Sequence, residues 1–441
     1  MAMVVKNNMS AVNTLNILNR NQSALAKSLQ KVSSGMKIND AGDDASGYAI
    51  SERMRVQIRS LDQDKQNTQN GNSMMKTAEG AVASTVEILK TLKEKAINAA
   101  NDTNTDEDRR TIQKEINQMV DQIDDNALAT YNGKYLVDGS RNSIGTATCT
   151  TLTNSALSTA AAWTSKLTKL QSRQNESLNI QSTDNVTISY VRQGRTYTTT
   201  FSVGSLALSD IITANAYNGT ESFAGTDLVG EATAGAWIGL DKAGNSVYTA
   251  DNKTALSINA AGSGTTYQIS AFTIGITDNT GALRKTANTA LDGFNERIRA
   301  ENKSEDNALV LQTGVKANQA IKVSMTDMRS LALGMKGTDG SVISVQTQSK
   351  ANAAINSIDS ALQKALDEQA NIGAVQTRLR YTASNLTTQS ENVQNSESTI
   401  RDADMAKEMT EYTKNNVLLQ AAQSMLAQAN QNSSAVLSLL R

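Results

Sequence analysis

Both ends of this 441-residue chain carry heptad-spaced apolar residues with almost no charge, and they enclose a Thr/Ser/Gly-rich middle of different pattern. No charged residue occurs from Asn7 to Asn19, and none from Asn415 to Leu440. Asn, Gln and Ser interrupt both stretches, so no apolar run approaches the ~20 residues a membrane helix needs. Amides buried against protein find hydrogen-bond partners that lipid does not supply, so helices of this kind suit burial in an assembly. The ends are expected to pair with each other and then with further copies of the chain, without membrane insertion.

From 11 to 32, Ala11, Leu15, Leu18, Gln22, Leu25, Leu29 and Val32 alternate at spacings of four and three, the a/d seam of a coiled coil. Ser33-Ser34-Gly35 should end that helix, since glycine favours the position just past a helix. Asn39-Asp40-Ala41-Gly42-Asp43-Asp44 then supplies turn and N-cap residues for a helix from Ala45 to Asn101. The acidic pair Asp43-Asp44 is read as capping chemistry rather than a metal or acid/base site. Thr103 to Asp106 marks a break, and Ile112, Ile116, Met119 and Ile123 give a third helix its inner face. Near the other end Ile355, Ile358, Leu362, Ala365, Ile372, Leu379, Leu386, Val393 and Ile400 define a long helix. The last helix follows Asp402 and Asp404, with Leu418, Ala422, Met425, Ala429, Val436 and Leu440 on its seam.

In the middle the period changes to two. Val186, Ile188 and Tyr190 alternate with polar residues, Gln193-Gly194 turns, and Tyr197, Thr199, Phe201 and Val203 alternate again, a hairpin pattern. Tyr267, Ile269, Ile274 and Ile276 suggest further strands, and Leu311 to Gly314 with Ile321 and Val323 one more hairpin. The expected fold is mainly α with a β-containing insertion.

Composition removes several function classes. Net charge is -1, from 42 basic and 43 acidic residues, so no global field recruits nucleic acid. Histidine is absent, which eliminates Ser-His-Asp triads, imidazole bases and His-ligated zinc; no enzyme activity, cofactor or metal is expected. Proline is absent too, which suits long uninterrupted helices. The single cysteine, Cys149, lies in a Thr-rich run read as an exposed loop and can form no internal disulfide. Asn7-Asn8-Met9-Ser10 after Lys6 is too polar for the apolar region of a signal peptide, so any export is expected to bypass the general secretory route.

Val32-Ser33-Ser34-Gly35-Met36-Lys37-Ile38-Asn39, followed by Asp43-Asp44-Ala45-Ser46-Gly47, resembles the N-terminal signature of bacterial flagellins, with Lys37 where arginine is usual. Asn371-Ile372-Gly373-Ala374-Val375-Gln376, and Leu426 to Gln431 leading to Val436-Leu437-Ser438-Leu439-Leu440-Arg441, resemble the C-terminal half of the same family. The resemblance covers about 1–140 and 305–441 and leaves the middle unmatched.

It implies a secreted subunit of the extracellular flagellar filament, a helical homopolymer for motility. The implied route is the flagellar type III channel, with an export chaperone and with filament cap and hook-junction proteins as further partners. It also implies an inner terminal coiled coil from 1–44 with 402–441, a helical rod with a β-hairpin from 45–140 with 305–401, and variable outer β-rich domains from 141–304. The polymerisation seams would be Leu15, Leu18, Leu25, Leu29, Val32, Leu418, Met425, Val436 and Leu440. The alternatives weighed are a hook-filament junction protein and a secreted coiled-coil adhesin.

Toll-like receptor 5 recognises flagellins through a helical motif resembling Gln-Arg-x-Arg-Glu-Leu-Ala-x-Gln. The matching window here is Lys90-Thr91-Leu92-Lys93-Glu94-Lys95-Ala96-Ile97-Asn98, with Glu115 still in place. Thr91 lacks the guanidinium, Lys95 replaces the leucine and Asn98 is shorter than glutamine. The candidate receptor surface of Lys90, Thr91, Lys93, Glu94, Lys95, Asn98 and Glu115 is therefore expected to bind weakly.

Overall fold

A computed structural model describes residues 8–213, 228–233, 236–249 and 251–439, without the side chains of 231–232 and 432–439. Seven helices are formed among them: α1 Met9–Ser34, α2 Ala45–Ala100, α3 Asp106–Ala127, α4 Leu208–Thr213, α5 Lys285–Leu291, α6 Gln348–Arg401 and α7 Met405–Leu439. The chain divides into two compact units, one of Met1–Thr68, Gln312–Gln319 and Tyr381–Arg441, the other of Gln69–Leu311 and Ala320–Arg380. No helix among the described residues is long and apolar enough to cross a membrane.

In the first unit α1 ends where the sequence places its stop. Gly35 adopts φ 72°, a left-handed conformation that glycine enters without a Cβ penalty, and its amide donates to the Lys31 carbonyl. Asp44 then caps α2, its carboxylate accepting from the amides of Ser46 at 3.1 Å and Gly47 at 3.0 Å. Gly47 is confined by close approach, since a Cβ there would lie 2.5 Å from the Asp44 carboxylate and 2.7 Å from Ile38. Asn39 donates its amide to Asp43, which holds that carboxyl below its usual range. The turn between α1 and α2 is stitched to the turn between α6 and α7: Lys37 N donates to Arg401 O at 2.8 Å and Ala403 N to Gly35 O at 2.9 Å. Arg401 is buried there, bonded to Glu52 at 2.7 Å and stacked on the Tyr48 ring.

The helical core of the second unit comes from α2, α3 and α6, whose buried apolar residues include Met75, Val82, Leu89, Ile116, Ile123, Ile358, Ile372 and Leu379. α3 and α6 each run antiparallel to α2, as Arg109–Ala99 with Asn126–Ser84 and Asp359–Lys93 with Gln376–Glu79 show. α3 begins with a reciprocal cap between Thr105 and Asp108. Buried Gln113 on α3 holds an extended segment against the helices, donating to Ile343 O at 2.9 Å and accepting from Val345 N at 2.7 Å. Gln113→Ala leaves both backbone groups unpaired in a dry site, each costing about 1–3 kcal/mol. The expected result is a lower urea midpoint at unchanged m-value; an unchanged midpoint would show that water replaces the amide.

The strands are β1 Thr130–Tyr131, β2 Lys134–Tyr135, β3 Thr151–Asn154, β4 Asn185–Arg192, β5 Arg195–Ser202, β6 Leu228–Ala232, β7 Trp237–Leu240, β8 Ser246–Tyr248, β9 Leu256–Ala260, β10 Ile269–Thr277, β11 Phe294–Ile298, β12 Leu309–Gln312 and β13 Ala320–Val323. One antiparallel sheet has the order β10-β4-β5 and another β11-β3-β9-β6. The β4–β5 turn has φ 50° at Gln193 and 71° at Gly194, the paired positive values of a two-residue hairpin. Both sheets feed one apolar core, with Ile188, Tyr190, Phe272 and Ile274 from the first and Leu152, Leu256 and Ile258 from the second. α4 and α5 add Ile211 and Leu291 to it.

The Thr-rich run around Cys149 departs from its reading as an exposed loop. Thr150 to Asn154 are buried, β3 lies between β11 and β9, and Cys149 is half-buried against the β core. Two threonine hydroxyls offset their desolvation here: Thr150 Oγ1 accepts from Ile269 N at 3.2 Å and Thr148 Oγ1 donates to Arg299 O at 2.6 Å.

Candidate assembly and receptor surfaces

α1 and α7 pack antiparallel through a seam in which large apolar residues alternate with small or polar ones. Along α1 a line of reduced exposure runs through Ala11, Thr14, Leu18, Asn21, Leu25, Ser28 and Val32, at spacings of three and four, with Ala24 and Lys31 beside it. On α7 the corresponding line runs through Glu408, Tyr412, Asn415, Leu419, Ala422, Leu426 and Ala429. Side-chain amides tie the two together: Asn8 Nδ2 donates to Ala429 O at 3.2 Å, Asn21 Nδ2 to Leu418 O at 3.2 Å, and Asn415 Nδ2 to Ser28 Oγ at 2.9 Å. Lys31 and Glu408 form an ion pair at 3.7 Å. A polar residue on a heptad seam fixes register, and here several do so.

This geometry separates the seam residues expected from the sequence. Leu18, Leu25 and Val32 turn toward α7, whereas Leu15 is 45% exposed, Leu29 52%, Leu418 42% and Met425 62%. Val12, Ile17 and Val417 join them as exposed apolar residues. The side chain of Val436, and Leu440 altogether, lie outside the described residues. Each terminal helix thus has one face turned to its partner and a second line of apolar side chains, Leu15 and Leu29 on α1 and Leu418 and Met425 on α7, left to solvent. The spacing alone did not reveal which face was which. The signal that could have done so is the placement of Thr14, Asn21, Ser28 and Asn415, polar residues that recur on one line of each helix.

The receptor-motif window forms one surface of α2, with Leu89, Leu92 and Ala96 buried beneath it. Lys90 pairs with Glu87 at 2.7 Å, Lys93 with Asp359 of α6 at 2.6 Å, and Lys95 with Glu115 of α3 at 2.9 Å. Thr91 Oγ1 donates back to Glu87 O at 3.1 Å, Asn98 Oδ1 accepts from Asn104 at 3.0 Å, and Glu94 is exposed. The structure therefore brings Glu115 into contact with Lys95, and the surface is a lattice of solvated ion pairs. No group of His, Cys, Asp and Glu among the described residues is arranged to hold a metal ion.

The bacterial flagellin N-terminal helical region matches residues 5–142, and the bacterial flagellin C-terminal helical region matches 355–440. The chain is 36% identical over 436 residues to a flagellin of Clostridium tyrobutyricum, covering 97% of this chain and 99% of the relative. It is 30% identical over 459 residues to a flagellin of Bacillus subtilis (strain 168), with 100% of each covered. Flagellin FlaB2 of Treponema pallidum (strain Nichols) is 28% identical over 441 residues, again with 100% of each chain covered. Paired terminal helices built from the two matched end regions, and relatives aligned along the whole length, lead to one conclusion: the chain belongs to the bacterial flagellin family and is a structural subunit of the flagellar filament.

Proposed function

We propose that the subunit polymerises through the second, exposed faces of its terminal helices. The observation that carries this reading is the row of Leu15, Leu29, Leu418 and Met425, each large, apolar and exposed in the single chain. Burying a fully exposed Leu or Met contributes roughly 1.5–3 kcal/mol, so a few such residues repeated on every subunit suffice to drive a helical homopolymer. The α1–α7 pair is then the inner coiled-coil domain of 1–44 with 402–441, the helices of 45–140 with 305–401 are the rod, and 141–304 is the outer region. In this reading the chain is exported through the flagellar type III route, held beforehand by a chaperone, and added beneath a cap, with junction proteins at the hook. Its role is mechanical, without catalysis or cofactor, in the extracellular filament.

The division is tested by deleting the middle and rejoining the chain near Ser140 and Asn307. The β core draws on its own apolar cluster, and the helical core on another, to which the middle contributes Val191 and Ala271. Filaments should still form, thinner than those of the full chain when viewed by negative stain. A rejoined chain that stays unfolded by circular dichroism, whatever linker is used, contradicts the division.

A further inference from the structure

Strand β11 carries a buried acid with no complete set of partners. Glu296 stands opposite Leu152 of β3, and a register shift between Glu296 and Ile298 marks a bulge at this point, a device that re-aims side chains. Its Oε2 lies 3.6 Å from Arg299 Nε, but Oε1 is sealed from solvent and has no hydrogen-bond partner. Beside it is a cavity of about 300 Å³ whose walls come from β10, β11 and α6, including Ser270, Phe272, Asn356 and Gln363. We infer that Glu296 is a proton-operated latch: protonated, it lets the edge strand β11 stay paired with β3, and ionised, it weakens that pairing and frees β11 to open.

Arg299, the one cation paired with Glu296 among the described residues, is shared with a second carboxylate, and Asp359, Glu301 and Lys364 bond elsewhere. Arg299 is bound to Asp367 of α6 at 2.8 Å, Asp359 to Lys93 of α2 at 2.6 Å, and Glu301 to Lys242 at 2.5 Å. Lys364 of α6 is fully buried and donates to Ala332 O at 2.9 Å rather than to a carboxylate. From β3 and β10 the cavity beside Glu296 is lined by Leu152, Ser270, Ala271 and Phe272, none of them charged. Burial accordingly holds the Glu296 carboxyl up at about 7, against the pull of Arg299 and Lys364, while Glu301 pushes the same way as burial. Asp292, just past α5 and on the same cavity, is an exposed residue whose carboxyl is still desolvated enough to be raised to about 6, despite a bond from Asn356. An acid whose folded pKa lies above its unfolded value binds more protons when folded, so stability falls as pH rises from about 4.5 to about 7.

The test is hydrogen exchange of the β3 and β11 amides in the full-length monomer at pH 5 and pH 8, corrected for intrinsic exchange. The opening constant should rise on the order of a hundredfold in the unmodified chain. It should rise far less in Glu296→Gln, while Asp292→Asn keeps most of the dependence. Equal pH dependence in the unmodified and Glu296→Gln chains overturns the inference. If Glu296→Gln fails to fold, infrared spectroscopy decides: a buried carboxylic-acid band in the unmodified chain, lost with a midpoint near neutrality, supports the latch, and no such band at pH 6 refutes it.

Discussion

A chain shortened by removal of 406–441 is expected to remain soluble, with its rod folded, and to form no filaments. The deletion takes away nearly all of α7, so Leu18, Leu25 and Val32 of α1 lose the helix they pack on. It spares Arg401 and Ala403, which stitch the two interhelical turns, and it touches none of the apolar core of α2, α3 and α6. The loss of ordered helix should therefore be confined to the terminal pair. Circular dichroism would show reduced helicity with a retained cooperative transition, and negative stain would show no tubes. Long filaments from the shortened chain would falsify the assembly reading.

A finer version separates assembly from folding. Leu418 and Met425 are exposed in the single chain, so Leu418→Asp with Met425→Asp should move monomer stability by no more than about 0.5 kcal/mol per site. Polymerisation should nevertheless fail, because each subunit would bring two uncompensated charges to a surface that must become dry. Leu419→Asp and Leu426→Asp, on the face turned to α1, should instead disturb the helix pair before any assembly begins. If the two double variants behaved alike, the separation into an inner and an outer face would be wrong.

Sequence periodicity placed the long helices well because their stops rest on local chemistry. Gly35 ends α1, Asp44 starts α2, Thr105 starts α3, and each signal is a cap that acts within a few residues. The β4–β5 hairpin was legible for the same reason, from a two-residue turn between alternating strands. The strands β3, β9 and β11 were not. Thr151 to Asn154 are buried on both faces, so the alternation that marks a half-exposed strand is missing, and their partners lie about a hundred residues or more away. The assembly surface was legible as a heptad but not in phase. With so few charges on these helices, apolar periodicity leaves two adjacent faces nearly equivalent, and hydrogen bonds from Asn21 and Asn415 decide between them. Gln113 was equally silent, since its two backbone partners lie some 230 positions away.

Thr91→Arg combined with Lys95→Leu is expected to raise the potency of the monomer toward Toll-like receptor 5 roughly a hundredfold. A leucine filling an apolar receptor pocket contributes a few kcal/mol, whereas a lysine must desolvate its ammonium or leave the pocket badly filled. In this chain the ammonium of Lys95 is also held by Glu115 at 2.9 Å, so binding would have to break that pair or carry it into the interface. An arginine at 91 restores a planar fork for hydrogen bonds and stacking, which the Thr91 hydroxyl, turned back to Glu87 O, does not provide. At 1.4 kcal/mol per tenfold, a combined gain of about 3 kcal/mol corresponds to two orders of magnitude. The changes should leave the fold intact, because the Lys95–Glu115 pair is solvated and such pairs contribute about 0–1 kcal/mol. A reporter-cell titration of unpolymerised protein reads the result. An unmodified chain as potent as a strong reference flagellin would show that Lys95 fits the receptor, and a double variant no better than its parent would place the block outside this helix face.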